Sequence, residues 1–265
     1  MTLSLDVITL GVPDVGTAHA FYTSAFSPTA ADRGGQVDLD MNGTGQVALR
    51  GAEALAAAAD AKPVTSGFRG YIASAVVEQP SEVEALLDAA VKGGAKVLKP
   101  AKKGLFGGFT AVYQAPDGAI WKLAAPSKKD TGPASDPPKL TETIAILGVP
   151  DPKSSKEFYA ALGLAVDRDY GSKFVDFSLS PGKCRLGLMQ RKALAKDAGV
   201  DEEGSGFGAV VFGHRAGSRE EVDALLAKAA SAGGEIAVAA GENEQDGYAG
   251  HFTDPDGFRW KVSSS

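Results

Sequence analysis

Residues 6–22 read DVITLGVPDVGTAHAFY, and residues 143–159 read TIAILGVPDPKSSKEFY. Both carry GVPD followed by FY at the same distance, at an offset of 137 residues. Self-similarity at a long fixed offset points to a duplicated structural unit. The match continues outward. GFRGYIASAVV (67–77) parallels GFGAVVFGHRA (206–216), EVEALLDAAVKGGA (82–95) parallels EVDALLAKAASAGGE (221–235), and APDGAIWKL (115–123) parallels DPDGFRWKV (254–262). Residues 1–125 and 140–265 are therefore two copies of one module. Between them, PSKKDTGPASDPPK (126–139) has the Pro, Gly and Ser content of a linker.

Each copy divides again. Asp6 to Val12 is β-branched and apolar, a strand ended by Pro13 and Asp14. Asp14 is placed to cap a helix over 15–26, whose apolar face carries Val15, Ala18, Phe21, Tyr22 and Ala25. Glycines at 34–35 and 43–45 separate strands over 36–41 and 46–50. A second unit follows: a strand over 71–77, a helix over 81–92 stopped by Gly93–Gly94, then strands over 95–98, 109–115 and 119–124 with a Pro-Asp-Gly turn at 116–118. The second copy predicts helices near 152–162 and 219–232 and the same turn at 255–257. Four βαβββ units result, two per module.

Composition limits the function. The chain has 265 residues, 44% of them hydrophobic, enough for a sizeable core. The net charge of −6 is spread without a basic block, which argues against nucleic acid as a partner. The one cysteine, Cys184, precludes an intrachain disulfide and reads as a small buried hydrophobe. The N-terminal residues lack a basic leader, and no apolar run spans a membrane, so the expectation is a soluble cytoplasmic protein with no membrane partner.

The strand ending in VxD, the helix carrying FY, the helix closed by GG and the terminal DPDGxxWx strand, occurring twice in order, resemble the vicinal oxygen chelate superfamily of glyoxalases, bleomycin resistance proteins and dioxygenases. RKALAKDAGV (191–200) also resembles a segment of small glyoxalase-like proteins. The resemblance implies an α+β fold of four βαβββ units, paired into two modules whose curved mixed sheets form cups. Whether a cup pairs units within a module or across modules stays open. With four units in one chain, a monomer is expected.

In the metalloenzymes of that superfamily, His, Glu or Gln fill ligand slots on strands of the cup. Carried over by motif, the slots fall on Val7 and Ile144, on Tyr71 and Val210, on Lys122 and Lys261, and near Arg50 and Gln190. Neither cup holds three ligands, and an ammonium repels a cation, so no metal and no cofactor are expected. Of the three histidines, His19 reads as a helix residue; His214 and His251 with Asp254 or Glu221 form a weaker alternative metal set. Asp117 and Asp256 read as turn residues. GLFGG (104–108) lacks the Lys-Ser/Thr and helix of a phosphate loop and reads as a hairpin.

The resemblance then implies a metal-independent small-molecule binding protein, sequestering an antibiotic or metabolite. The alternative is a lyase, isomerase or dioxygenase with a displaced metal site or metal-free lysine chemistry. Candidate ligand-binding residues are Lys122, Lys261, Tyr71, Arg50, Gln190, Phe109, Tyr113, Phe212, Tyr248 and His251; Phe106, Phe207 and Phe252 are further aromatics near the cup. Strand alternation sets Lys122 and Lys261 opposite Trp121 and Trp260. Indoles prefer the layer between sheet and helix, so the lysines are expected on the concave side.

Overall fold

A computed structural model describes residues 2–104, 108–180, 182–243 and 247–264. Phe106 and most of the GLFGG segment lie outside these residues. The first unit is β1 (Val7–Val12), α1 (Val15–Phe26), β2 (Thr29–Asp32), β3 (Gln36–Asp40) and β4 (Gln46–Gly51). A short helix, α2 (Ala52–Ala58), and strand β5 (Thr65–Gly67) lead to the second unit: β6 (Tyr71–Val76), α3 (Pro80–Lys92), β7 (Lys96–Lys103), β8 (Phe109–Gln114) and β9 (Ile120–Ala125). The second half repeats the order with β10 (Glu142–Val149), α4 (Pro152–Ala161), β11 (Val166–Asp169), β12 (Phe174–Phe177) and β13 (Arg185–Gln190). After α5 (Arg191–Ala198) and β14 (Gly204–Gly206) come β15 (Val210–Arg215), α6 (Arg219–Ser231), β16 (Glu235–Asn243), β17 (Gly247–Thr253) and β18 (Arg259–Ser264).

Local chemistry sets the helix starts. Asp14 accepts from the Thr17 amide at 2.7 Å, and Asp151 from the Lys153 amide at 3.2 Å, before a proline at the first position of α4. Ser218 caps α6 through the Glu221 amide. α2 and α5, each only two turns long, fall outside the sequence expectation; α5 is RKALAKDA, the body of the glyoxalase-like segment.

The sheets answer the pairing question. One has the order β16-β17-β18-β15-β1-β4-β3-β2, the other β11-β12-β13-β10-β6-β9-β8-β7. In the first, β1 joins β15 antiparallel from Val7↔Gly213 to Leu10↔Val210. In the second, β10 joins β6 from Glu142↔Val76 to Leu147↔Tyr71. Each sheet thus takes one unit from each half of the chain: first with fourth, second with third.

The helix layer joins units of the same half. Trp121 of the second unit is fully buried, and its Nε1 donates to the Tyr22 hydroxyl of α1 at 3.2 Å; Tyr22 donates to Asp117 at 2.8 Å. Trp260 repeats this with Tyr159 at 3.1 Å. There the tyrosine donates to Asp254 at 2.5 Å, and Asp256 takes the Ser155 hydroxyl. Asp117 and Asp254 are buried hydrogen-bond acceptors on the helix side, and Asp256 is a half-buried one. Burial pushes Asp254 up to about 7 and raises both tyrosines well above their usual value. The linker packs on α3: Gln79 Oε1 accepts from the Thr131 amide, and Glu82 accepts from the Ser135 amide and hydroxyl.

Candidate functional site: one open cup and one filled cup

Side chains alternate between the two faces of a strand, so the registers sort each sheet into a helix side and a concave side. Trp121 pairs with Ala73 and Tyr113 on the helix side, while Lys122 pairs with Ser74 and Val112 on the other. In the first sheet, Trp260 pairs with Phe212 and Phe252, and Lys261 pairs with Gly213 and His251. Both lysines lie on the concave faces and both tryptophans in the helix layer.

The same alternation corrects the aromatic assignments. Tyr71, Phe109, Tyr113 and Phe212 belong to the helix-side core and are buried there; Tyr71 sits edge-on to Phe212. Phe252 stacks on Trp260 in that core. Tyr248 donates to Asp223 of α6 and lies under the Arg219 guanidinium, also away from the cup. Phe207 packs beside Leu55 and Val211. Two slot assignments change for the same reason. Val210 and Tyr71 point to the helix layer, and the concave positions between the first strand and the lysine strand are Gly213 and Ser74. Arg50 pairs with Gly11; its equivalent beside Gly148 is Met189. Gln190 falls one residue further on, exposed, as the residue before α5.

The cup of the second and third units is filled. Its concave floor is apolar, and α5 lies across it with Leu194, Ala195 and Ala198 buried in one cluster with Ile72, Val112, Ile120 and Ile146. Three contacts hold α5 there. Arg191 donates to Phe68 O at 2.8 Å with its guanidinium over the Phe68 ring; Lys99 reaches Lys196 O; and Lys122 Nζ meets Asp197 at 2.6 Å. One of the two predicted ligand-binding lysines is therefore tied to the plug.

The cup of the first and fourth units is open. A cavity of about 690 Å³ is lined by Val7, Thr9 and Gly213 on its floor, Arg33, Gln36, Asp38 and Arg50 on the first-unit wall, and Arg215, Lys261 and Ser263 on the fourth-unit wall. α2 covers only one end, through Leu55 and Ala59 against Val211. Both short helices start immediately after their strands, so Ala58 occupies the position of Asp197. Asp38 accepts from Gln36 Nε2 at 2.7 Å and from Arg33 Nε at 3.2 Å. Thr9, Arg33, Gln36, Asp38, Arg215 and Ser263 are not in the sequence expectation. The available signal is alternation: Arg259, Lys261 and Ser263 share one face of β18, and Gln36 and Asp38 share one face of β3.

The donor set does not fit a metal ion. Among the described residues no three His, Cys, Asp or Glu side chains converge. His251 is in register with Lys261 on the concave side. His214 points to the opposite face, where its Nδ1 meets the Ser4 amide at 3.1 Å and Asp6 at 3.6 Å, and burial lowers its pKa. The two histidines cannot share an ion, and Asp254 lies in the core. Glu221 is committed to the Gly217 amide at the start of α6. His19 is a half-buried residue of α1. Burial pushes the Cys184 thiol up to about 12, against a nucleophilic role. No described helix is long and apolar enough to cross a membrane.

Comparison with known proteins agrees with this architecture. The glyoxalase I structure from Zea mays superposes with a TM-score of 0.66 at 20% identity, covering 99% of this chain and 92% of that one. A candidate dioxygenase from Bacillus subtilis gives 0.64 at 15% identity, covering 100% and 86%. At these identities the likeness concerns the fold. No curated protein sequence matches. The sequence model of the Glyoxalase/Bleomycin resistance protein/Dioxygenase superfamily matches residues 4–123 and 142–262, nearly the whole chain in two tandem regions. The chain belongs to the glyoxalase/bleomycin resistance protein/dioxygenase superfamily.

Proposed function

We propose that this protein is a metal-independent small-molecule binding protein that holds an antibiotic or metabolite in the cup shared by its first and fourth units. The observation that carries this reading is the contrast between the cups. The same scaffold is closed by a packed helix on one side, and on the other leaves a cavity of about 690 Å³ with a polar, cationic lining. That volume is within the range of small-molecule sites. The charged side chains of the open cup stand on its walls, whereas the concave floor of the twin cup is apolar core under α5. Binding in this reading rests on Lys261, Arg50 and the neighbouring polar side chains, with no Lewis acid.

Native mass spectrometry of the protein purified under mild conditions, beside Thr9→Trp, tests the reading. The indole fills the cavity floor without touching α5. The wild type is expected to carry or take up a small molecule, and the variant to lose it while keeping its circular dichroism. Equal retention by both proteins would place the ligand elsewhere and refute the proposal. Turnover of the retained compound, with Lys261 required, would move the protein to the enzyme class.

A further inference from the structure

The two halves fill equivalent places in the helix layer differently. On that face, Trp121 stands in a row with Ala73 and Tyr113, and Trp260 in a row with Phe212 and Phe252. Two residues along each strand lies the next row of the same face: Tyr71, Ala119 and Ala115 in the first half, Val210, Phe258 and Asp254 in the second. The second half closes its row by direct contacts. Phe258 packs on Phe212, and Asp254 takes the Tyr159 hydroxyl at 2.5 Å. The first half has alanine at both of those places. With no carboxylate at Ala115, Tyr22 donates to Asp117 in the turn instead. Arg69, where the second half has Gly208, lies over the same turn, and its Nη2 donates to Asp117 O at 2.6 Å.

This arrangement strands polar atoms. Among the described residues, the Tyr71 hydroxyl, the Tyr113 hydroxyl and Arg69 Nη1 are buried and make no hydrogen bond. Tyr71 is 1% exposed and Tyr113 fully buried. Buried donors are nearly always paired in folded proteins, with protein or with water. The stranded groups surround one carboxylate. Burial raises the Tyr71 hydroxyl above its usual value; Arg69 beside it lowers it in part without closing a hydrogen bond, and Asp117 raises it. Burial and then Asp117 raise the Tyr113 hydroxyl further still. Asp117 itself accepts from the Ala119 amide at Oδ1 and from Tyr22 at Oδ2. A carboxylate accepts about four hydrogen bonds, so it has capacity left.

We propose that an internal water sits in the helix layer over Ala119 and Ala115, bridging the Tyr71 and Tyr113 hydroxyls and Arg69 Nη1 to the Asp117 carboxylate. The chemistry of the lining selects water. An anion would face Asp117, and a cation would face the Arg69 guanidinium. Water both accepts and donates, and a buried water typically makes about three hydrogen bonds. The room comes from alanine at the two places where the second half has Phe258 and Asp254. The site is on the opposite face of the sheet from the cup, so it stands independently of the binding reading above.

The test is a high-resolution crystal structure of the full chain, together with the thermal midpoints of Tyr71→Phe and Tyr113→Phe. The map should show a single spherical peak within hydrogen-bonding distance of Asp117 and of at least two of the three donors. Each variant loses one bond to the water and should melt lower by roughly 2–4 °C with its circular dichroism unchanged. The double variant should fall by less than the sum, because both hydroxyls act through one molecule. A map with no peak over Ala119 would overturn the proposal. Midpoints equal to or above that of the wild type in both variants would show dry hydroxyls and overturn it too. A bromide soak that places an anomalous peak there would make the site an anion site instead.

Discussion

Truncation of Leu194 to alanine distinguishes a cup that has become core from one that merely closes over a ligand. Leu194 is fully buried in one cluster with Ile72, Val112, Ile120 and Ile146. Losing its branch removes transfer free energy and leaves a void that strands of a fixed sheet cannot collapse to fill. Such truncations cost ~2.7–5 kcal/mol, and α5 carries only two other fully buried side chains, both alanine. We expect about 3 kcal/mol. For a chain of this size each kcal/mol lowers the thermal midpoint by roughly 2–4 °C, so the midpoint should fall by about 6–12 °C. Urea unfolding should show a lower midpoint with an unchanged slope. Lys261→Met in the open cup serves as the comparison and should stay within about 0.5 kcal/mol of wild type, the usual range for substitutions outside a packed core. A Leu194→Ala loss below about 1 kcal/mol would refute the reasoning. It would mean that α5 lies loosely on the sheet and that the second cup is a closed binding site.

Protein exchanged into metal-free buffer should retain well under one transition-metal ion per chain by elemental analysis; stoichiometric zinc, nickel, iron or manganese would overturn the metal-independent reading. Light scattering at micromolar concentration should give the mass of one chain, since both sheets are completed within it; a stable dimer would contradict this. Asp254 is raised from 3.8 to about 7 by burial, so its stabilising contribution is complete below pH 4 and lost as pH rises through 7. The shift corresponds to on the order of 4 kcal/mol, and Asp254→Asn should flatten the decline of the thermal midpoint between about pH 4 and 7; an identical decline in the variant would show that another group drives it.

The repeats and the four units were legible because each carries its own signals. GVPD ends a strand and caps a helix at both Asp14 and Asp151, and glycines stop α3 and α6 where the apolar period ends. The pairing of units was not legible. The inner strands present an apolar helix side to either partner, and the contacts that decide it, such as Thr9↔Val211, join residues about two hundred apart. α2 and α5 escaped because a two-turn helix with one leucine has no period to read. The aromatic candidates failed for a simpler reason. Which face of β8 is buried follows from its register with β9, where Tyr113 pairs with Trp121 and must share its face, and that register is not written in the sequence of either strand. Arg50 and Lys261 lie on the concave side where alternation past Leu49 and Trp260 puts them.

The crossed pairing gives the duplication a physical consequence. Each cup draws one unit from each half, so the residues that shape one cup are not those that shape the other. Met189 for Arg50 and Ile146 for Thr9 alter the second cup alone, although both pairs lie at equivalent positions of the repeat. Each half also shares a helix-layer core, through Tyr22 with Trp121 and Tyr159 with Trp260, so neither cup loosens independently of the other. One cup can then become an apolar core sealed by Leu194 while the other keeps polar side chains such as Thr9, Gln36 and Asp38 on its concave face. A symmetric chain with two open cups would lack the apolar contact that α5 provides.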